Sequence, residues 1–310
     1  MRRFIDALHA DGIDEWVSLP EIAVMGDTSS GKSSLLSALS GILLPANHQL
    51  TTRCPTRMRM EMAPQRTATV RIRWHAASTY RSEAYPVTHL SEEGDGDKFA
   101  SRLTEEIEKA QQTIIDASPS EVARDIIEVD FFGPDLYNLT ITDLPGIVRV
   151  AGRGESSRII EDIQLLIKEY LENERCVVLA VVPANVDFHN SGIMADAEKN
   201  DPSTRRTIPV ITKPDLIDRG AEGGVRDLLL GLKTEKFQMG FHIVKCRGQQ
   251  QLNDGVTLDQ GLEAEAHYFC SQEPWSKERK KQPGLFGVPA LRGKLADLQM
   301  RMIQDSIPSI

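Results

Sequence analysis

Apolar runs of four to six residues recur along the chain, each bounded by turn-forming residues: Ile22–Met25, Leu139–Thr142, Val177–Val182, Ile208–Ile211 and Phe241–Val244. Short, nearly unbroken apolar runs are what strands covered on both faces require. Between several of them the apolar spacing becomes helical, over Lys32–Leu39, Ile159–Leu171 and Val225–Leu232. Buried strands alternating with helices predict a mostly parallel central sheet with helices on both faces. Arg57–Met62 and Thr69–Trp74 instead alternate basic and apolar residues with a period of two, which predicts half-buried strands extending the sheet antiparallel. Their arginines (Arg57, Arg59, Arg71, Arg73) read as a solvated strand face rather than a phosphate-binding one. Ser91–Asp97, acidic and Gly-containing, reads as a loop, and Asp97–Ala117 as a long exposed helix with a Glu105–Lys109 ion pair.

Both ends carry helical stripes. Phe4, Ile5 and Leu8 form one, and Leu291, Leu295, Leu298, Met302 and Ile303 form another that Pro308 stops. A stripe of this kind has to pack on something. The charge run Lys277–Lys281 reads as a solvated loop.

Composition narrows the class. The 310 residues are 40% hydrophobic and 26% charged, as in an ordinary globular protein, and the net charge of −9 gives no global attraction to nucleic acid. Cys54, Cys176, Cys246 and Cys270 lie far apart without a CxxC pair, so reduced thiols in a cytoplasmic protein are expected. The seven histidines show neither HxH nor HExxH spacing, and Trp16, Trp74 and Trp275 are scattered as packing residues are.

The chemistry begins at Gly26-Asp27-Thr28-Ser29-Ser30-Gly31-Lys32-Ser33, which follows the first strand and opens the first helix of the sheet. This G-x-x-x-x-G-K-S pattern matches by chance in about one chain in a hundred of this length, given ordinary glycine usage. Glycines let the backbone wrap closely, so that successive N–H groups and a helix N-terminus point at phosphate oxygens. Lys32 then reaches the β- and γ-phosphates and the Ser33 hydroxyl binds Mg2+. Asp143-Leu144-Pro145-Gly146 follows the next apolar strand, placing Asp143 to hold the metal through water and the Gly146 N–H to meet the γ-phosphate. Thr212-Lys213-Pro214-Asp215 follows another. A carboxylate there accepts from the N1–H and 2-amino group of guanine, which adenine does not match. Thr51-Thr52 lies where a mobile switch is expected, with Thr52 as a second metal hydroxyl, and Val244–Gln249 lies where a segment can close over the base.

Together, GDTSSGKSS, TTRCP, DLPG, VVPANVD, DPSTRRTIPVITKPDLIDRGAE and VKCRGQQ resemble the GTPase domain of the dynamin superfamily, closest to its Mx-like branch, from about Asp6 to Ile307. The resemblance implies a P-loop GTPase fold that binds GTP with Mg2+ and hydrolyses it. By position it assigns Gly26, Asp27, Ser29, Ser30, Gly31, Lys32, Ser33, Ser34, Thr212, Lys213, Asp215, Asp218, Cys246, Arg247 and Gln249 to the nucleotide, and Ser33, Thr52 and Asp143 to the metal. Ser29, Lys32, Thr52, Gly146 and Thr28 correspond to catalytic positions, with Ser29 helping to place a monovalent cation, K+ or Na+. Asp187 corresponds to a residue that reaches across a dimer of GTPase domains formed over the nucleotides, which stimulates hydrolysis. Thr28 stands where the family usually has glutamine; threonine presents no amide to a catalytic water. The family pattern further implies a bundle helix over residues 1–16, the GTPase domain over 17–289 and a second bundle helix over 290–310 leading to a stalk. With the third bundle helix missing, both apolar stripes are expected to be partly exposed. Membrane or target contact would belong to that stalk, in a protein that is cytoplasmic or peripheral at membranes. Membrane remodelling and antiviral restriction are both family roles. A nucleotide-gated assembly module with weak hydrolysis is the alternative that Thr28 keeps open, and a small-molecule P-loop kinase would leave Asp215 without a purpose.

Overall fold

The computed structural model describes residues 21–43, 53–76, 78–80, 85–92, 96–147, 156, 158–188, 191–233 and 237–306. The first half runs β1 (Glu21–Gly26), α1 (Lys32–Ser40), β2 (Thr56–Met62), β3 (Thr67–Arg73), β4 (Thr88–Ser91), α2 (Gly96–Ala117), β5 (Ile126–Gly133) and β6 (Leu139–Asp143). The second runs α3 (Arg158–Glu172), β7 (Cys176–Pro183), α4 (Gly192–Asn200), β8 (Thr207–Thr212), α5 (Glu222–Leu229), β9 (His242–Ile243), α6 (Gln249–Asn253), α7 (Leu258–Ser271), α8 (Trp275–Lys281) and α9 (Val288–Ser306). Among the described residues the strands form one sheet, in the order β4-β3-β5-β2-β6-β1-β7-β8-β9.

Neighbours from β6 to β9 in that order are parallel. β2 is antiparallel to β6 and parallel to β5, while β3 is antiparallel to β5 and β4. This is the expected mostly parallel sheet with an antiparallel extension. Burial explains the division: every residue of β8 is buried and so is all of β7 except Pro183, whereas β2 and β3 alternate. Along β1, Ile22 and Val24 enter the core on one face, with α1, α2 and α9, while Ala23 and Met25 enter the other, with α3 and α4. Each fully buried aliphatic side chain there stabilises the fold by about 1.5–3 kcal/mol.

Several sequence expectations are corrected. The helix α2 is not exposed throughout: Phe99, Leu103, Ile107, Ala110 and Ile114 recur at helical spacing and are buried against the sheet. Its Lys109 ammonium meets Glu106, one turn back at 2.6 Å, rather than Glu105. The arginines of β2 and β3 are not a solvated face. Arg57 lies between Glu21 and Glu128 at 3.1 and 3.4 Å, and Arg71 takes Glu128 and Asp130 at 2.7 and 2.9 Å. Carboxylates on β1 and β5 thus neutralise the basic positions, which raises the Arg57 and Arg71 pKa values despite burial. Lys277–Lys281 belongs to helix α8 rather than a loop, with Glu278 buried and paired to Lys281.

The stripe of α9, expected to be partly exposed, is closed except at Met302, which is half-buried. Leu291, Leu295, Leu298 and Ile303 are buried, and the helix packs on α1 and β6. The Gln299 side chain completes the seat by accepting from Thr140 N at 2.8 Å and donating to Thr140 O at 3.0 Å. The amphipathic helix read over residues 1–16 lies outside the described residues. No helix among the described residues is long and apolar enough to cross a membrane. The four thiols are free, and burial pushes those of Cys54 and Cys176 well above the usual thiol range.

Candidate nucleotide site

The assigned residues collect at the carboxyl ends of the parallel strands, where α/β sheets present ligands. Gly26 ends β1, Asp143 ends β6, Thr212 ends β8, and Asp187 follows β7. The loop from Gly26 to Gly31 turns into α1 through two left-handed residues, Ser29 at φ 63° and Gly31 at φ 93°. Only a residue without a side chain fits at Gly26. A Cβ there would stand 2.5 Å from Ser30 Oγ and 2.8 Å from the Val181 carbonyl oxygen. The loop therefore lies close against β7 and leads directly into the N-terminus of α1, the end of a helix that favours an anion.

Lys32, in the first turn of α1, is buried and its ammonium bonds the Asp143 carboxylate. The DxxG segment is tied to the cradle along its length: Ile147 N donates to Gly26 O and Thr28 N to Ile147 O, both at 3.1 Å. The Thr28 hydroxyl also donates to Ile147 O, at 3.2 Å. Gly146 packs at Thr28, with its Cβ position 3.6 Å from Thr28 Cα. Ser191 Oγ contacts the Asp27 carboxylate at 3.4 Å from the start of α4.

The TKPD segment is fastened from the other side. Thr212 Oγ1 donates to Ser30 O at 2.5 Å, and Lys213 Nζ to Ser29 O at 2.6 Å. Lys213 takes a left-handed conformation, φ 55°, and the 3-10 turn Pro214–Leu216 then carries Asp215 to the surface beside the cradle. Asp218 follows, also exposed. Cys246 and Arg247 share a narrow cavity of about 100 Å³ with Ser33, Ser34 and Ser37 of α1, so the third segment does meet the P-loop helix. Burial, with Glu265 next, pushes the Cys246 thiol up to about 12.

Two assigned side chains are engaged away from the cradle: Arg247 donates to Val256 O at 2.6 Å, and Gln249 donates to Asn253 within α6. Thr52 lies outside the described residues, although Arg53 is held by its carbonyl to Ala123 N at 2.9 Å. Sequence reasoning missed Glu265, Gly261 and Ser191. Glu265 had one signal, a carboxylate four residues from Phe269 on the same buried helix face.

The oxygen donors fit a small hard cation. A serine hydroxyl, Ser33, opens the helix and a buried carboxylate, Asp143, ends the neighbouring strand, with no soft ligand assigned. Ser30 Oγ is buried without a hydrogen-bond partner among the described residues, a polar atom available to a bound group.

Comparison with known proteins agrees with this geometry. A family model described as "Dynamin family" matches residues 22–214, and one described as "Dynamin central region" matches residues 224–310. The chain is 34% identical over 306 residues to the interferon-induced GTP-binding protein MxA of Danio rerio, covering 99% of this chain and 44% of that protein. It is 35% identical over 304 residues to the interferon-induced GTP-binding protein Mx2 of Homo sapiens, covering 98% and 40%. With the interferon-induced GTP-binding protein Mx1 of Rattus norvegicus the identity is 37% over 265 residues, 86% of this chain and 38% of that one. The chain thus spans less than half the length of these relatives. With the P-loop, DxxG and TKPD corners joined in one site, the chain belongs to the dynamin family, and its α/β body is a dynamin-type GTPase domain.

Proposed function

We propose that this domain binds GTP with Mg2+ and hydrolyses it to GDP and phosphate, and that two domains associate over their nucleotides to stimulate the reaction. The observation that supports the reading is the pinning of the TKPD segment onto the Gly26–Gly31 loop by Thr212 and Lys213, with Asp215 two residues beyond Lys213. Loop N–H groups and Lys32 bind the phosphates, and as the β–γ bridging bond breaks they face the charge that develops on its oxygens. Asp215 accepts from guanine N1–H and the 2-amino group. Ser33, Asp143 and Thr52 are the residues that would hold magnesium, which supplies charge neutralisation at the phosphates when bound. A monovalent cation near Ser29 is part of the same proposal.

Self-association is supported by the exposed edge of the site. Asp187 is exposed there, and Val186 and Leu216 leave apolar surface at the ends of β7 and β8. We assign the role of motor domain in a longer cytoplasmic or membrane-peripheral protein, with residues 1–16 and 290–310 leading to its stalk. A second reading, nucleotide-gated assembly with slow hydrolysis, is favoured by the Thr28 hydroxyl, which is spent on Ile147 O.

Turnover measured against protein concentration, with magnesium and either potassium or sodium, separates them. A rate per molecule that climbs with concentration supports the dimer-stimulated enzyme. Tight GTP binding with a flat, near-zero rate favours the second reading, and absence of guanine-nucleotide binding removes both.

A further inference from the structure

One helix outside the recognised motifs shapes the third corner of the site. On α7, Gly261, Glu265 and Tyr268 follow one another at spacings of four and three, so they share one face. That face seats the two residues flanking Cys246. Gly261 makes room for Arg247, whose Cγ and Cδ would stand 2.7 and 3.0 Å from a Cβ there. The Tyr268 ring lies 5.6 Å from the Lys245 ammonium. Glu265, only 2% exposed, accepts from Lys245 N at 2.7 Å on one carboxylate oxygen and from Val288 N at 2.8 Å on the other. The neighbouring Gly287 N donates to Ile243 O at 2.8 Å, and the His242 ring bonds Gly287 O at 2.8 Å, so the start of α9 closes the same knot.

We propose that Glu265 is a positioning residue for base recognition: by holding the Lys245 peptide against α7 it sets the height of the Lys245–Gln249 segment over the base, and so contributes to guanine selectivity. This rests on the guanine-nucleotide reading above and adds to it a residue that touches neither base nor phosphate. The chemistry favours a carboxylate over any packing residue, because two N–H groups from separate segments need two acceptor oxygens at one point. A buried carboxylate is costly, and burial here holds the carboxyl above its usual range. The segment it holds shares the cavity with Ser33, Ser34 and Ser37, which is how its position is felt at the nucleotide.

Equilibrium titration of fluorescent GDP and ADP analogues against the wild-type chain and Glu265→Gln tests this. The amide keeps the volume but turns one acceptor into a donor facing an N–H. The ratio of GDP to ADP affinity is expected to fall about tenfold, with ADP affinity, which reports the phosphate cradle, changed by less than about twofold. A melting temperature that drops while the ratio stays at the wild-type value would overturn the proposal and leave Glu265 as a packing residue. If Glu265→Gln does not fold, Glu265→Asp decides. It keeps the charge and both acceptor oxygens but withdraws them by one methylene from the Lys245 and Val288 N–H groups, and a ratio reduced about threefold supports the proposal, whereas an unchanged ratio overturns it. A wild-type chain with no preference for GDP would overturn the nucleotide reading itself, an outcome distinct from a selective wild type with an equally selective variant.

Discussion

The Lys32 ammonium rests on the Asp143 carboxylate, with each side chain only 8% exposed, so the two charges that a nucleotide and its cation would call on neutralise one another across the cradle floor. On the proposed function, an incoming phosphate would compete for Lys32 and a cation for Asp143.

Breaking this pair from one side should therefore cost stability as well as binding. Lys32→Ala is expected to weaken GTP binding at least about a hundredfold and to lower folding stability by about 3–5 kcal/mol, because it removes the cationic partner of a buried carboxylate. The double variant Lys32→Ala/Asp143→Ala should recover most of that stability and none of the binding. Urea unfolding and nucleotide titration on the same samples separate the two effects. If the double variant is no more stable than Lys32→Ala, the Asp143 carboxylate carries no penalty once Lys32 is gone, and the expectation fails.

Base reading by Asp215 predicts a reversal of preference. Asp215→Asn trades an acceptor for a donor, which suits the 2-keto oxygen of xanthine and repels the 2-amino group of guanine. GTP affinity should fall about 10–100-fold while XTP affinity rises above it. Equal loss of both nucleotides would place Asp215 outside the base contact.

At Thr28 the expectation concerns rate. Its hydroxyl is committed to Ile147 O, and the side chain is exposed at the mouth of the cradle, so a longer amide has room to reach a water. Thr28→Gln should raise turnover per molecule at high protein concentration by about tenfold or more, with GTP affinity nearly unchanged. A variant no faster than the wild type at any concentration would show that Thr28 does not limit hydrolysis.

The cradle could be read from the sequence because its physics is local. A loop of that pattern needs glycine where a Cβ would strike Ser30 and Val181, and its lysine is the first residue of the helix that follows. Likewise β7 and β8, buried along their length, show as unbroken apolar runs. What stayed hidden depends on partners far away in the chain. Arg57 looked solvated because Glu21 and Glu128, which pair with it, lie 36 and 71 residues away. Glu265 is 20 residues from Lys245 and 23 from Val288, and no local pattern announces a carboxylate shared between them. The stripe of α9 was visible as a stripe, but its seat on α1 and β6 was set by sheet order, which the family pattern of flanking bundle helices did not suggest.

The knot beside the base segment also predicts an acid limit to stability. His242 is fully buried, its ring bonded to Gly287 O, and burial lowers its pKa to about 4 from an ordinary 6.5. Between those values the unfolded chain holds a proton that the folded chain does not. Stability therefore falls as pH drops from about 6.5, and the full cost is reached below about 4. From pH 7 to pH 5 this one residue should remove about 2 kcal/mol. Glu265 acts in the opposite sense: its carboxyl is raised by burial, so the folded state gains as pH falls through that raised value toward 4.5, offsetting part of the loss. His242→Gln keeps a donor for Gly287 O and removes the titration, so its urea midpoint should change much less than the wild type's between pH 7 and pH 5. Parallel curves for the two proteins would mean that another group sets the acid limit.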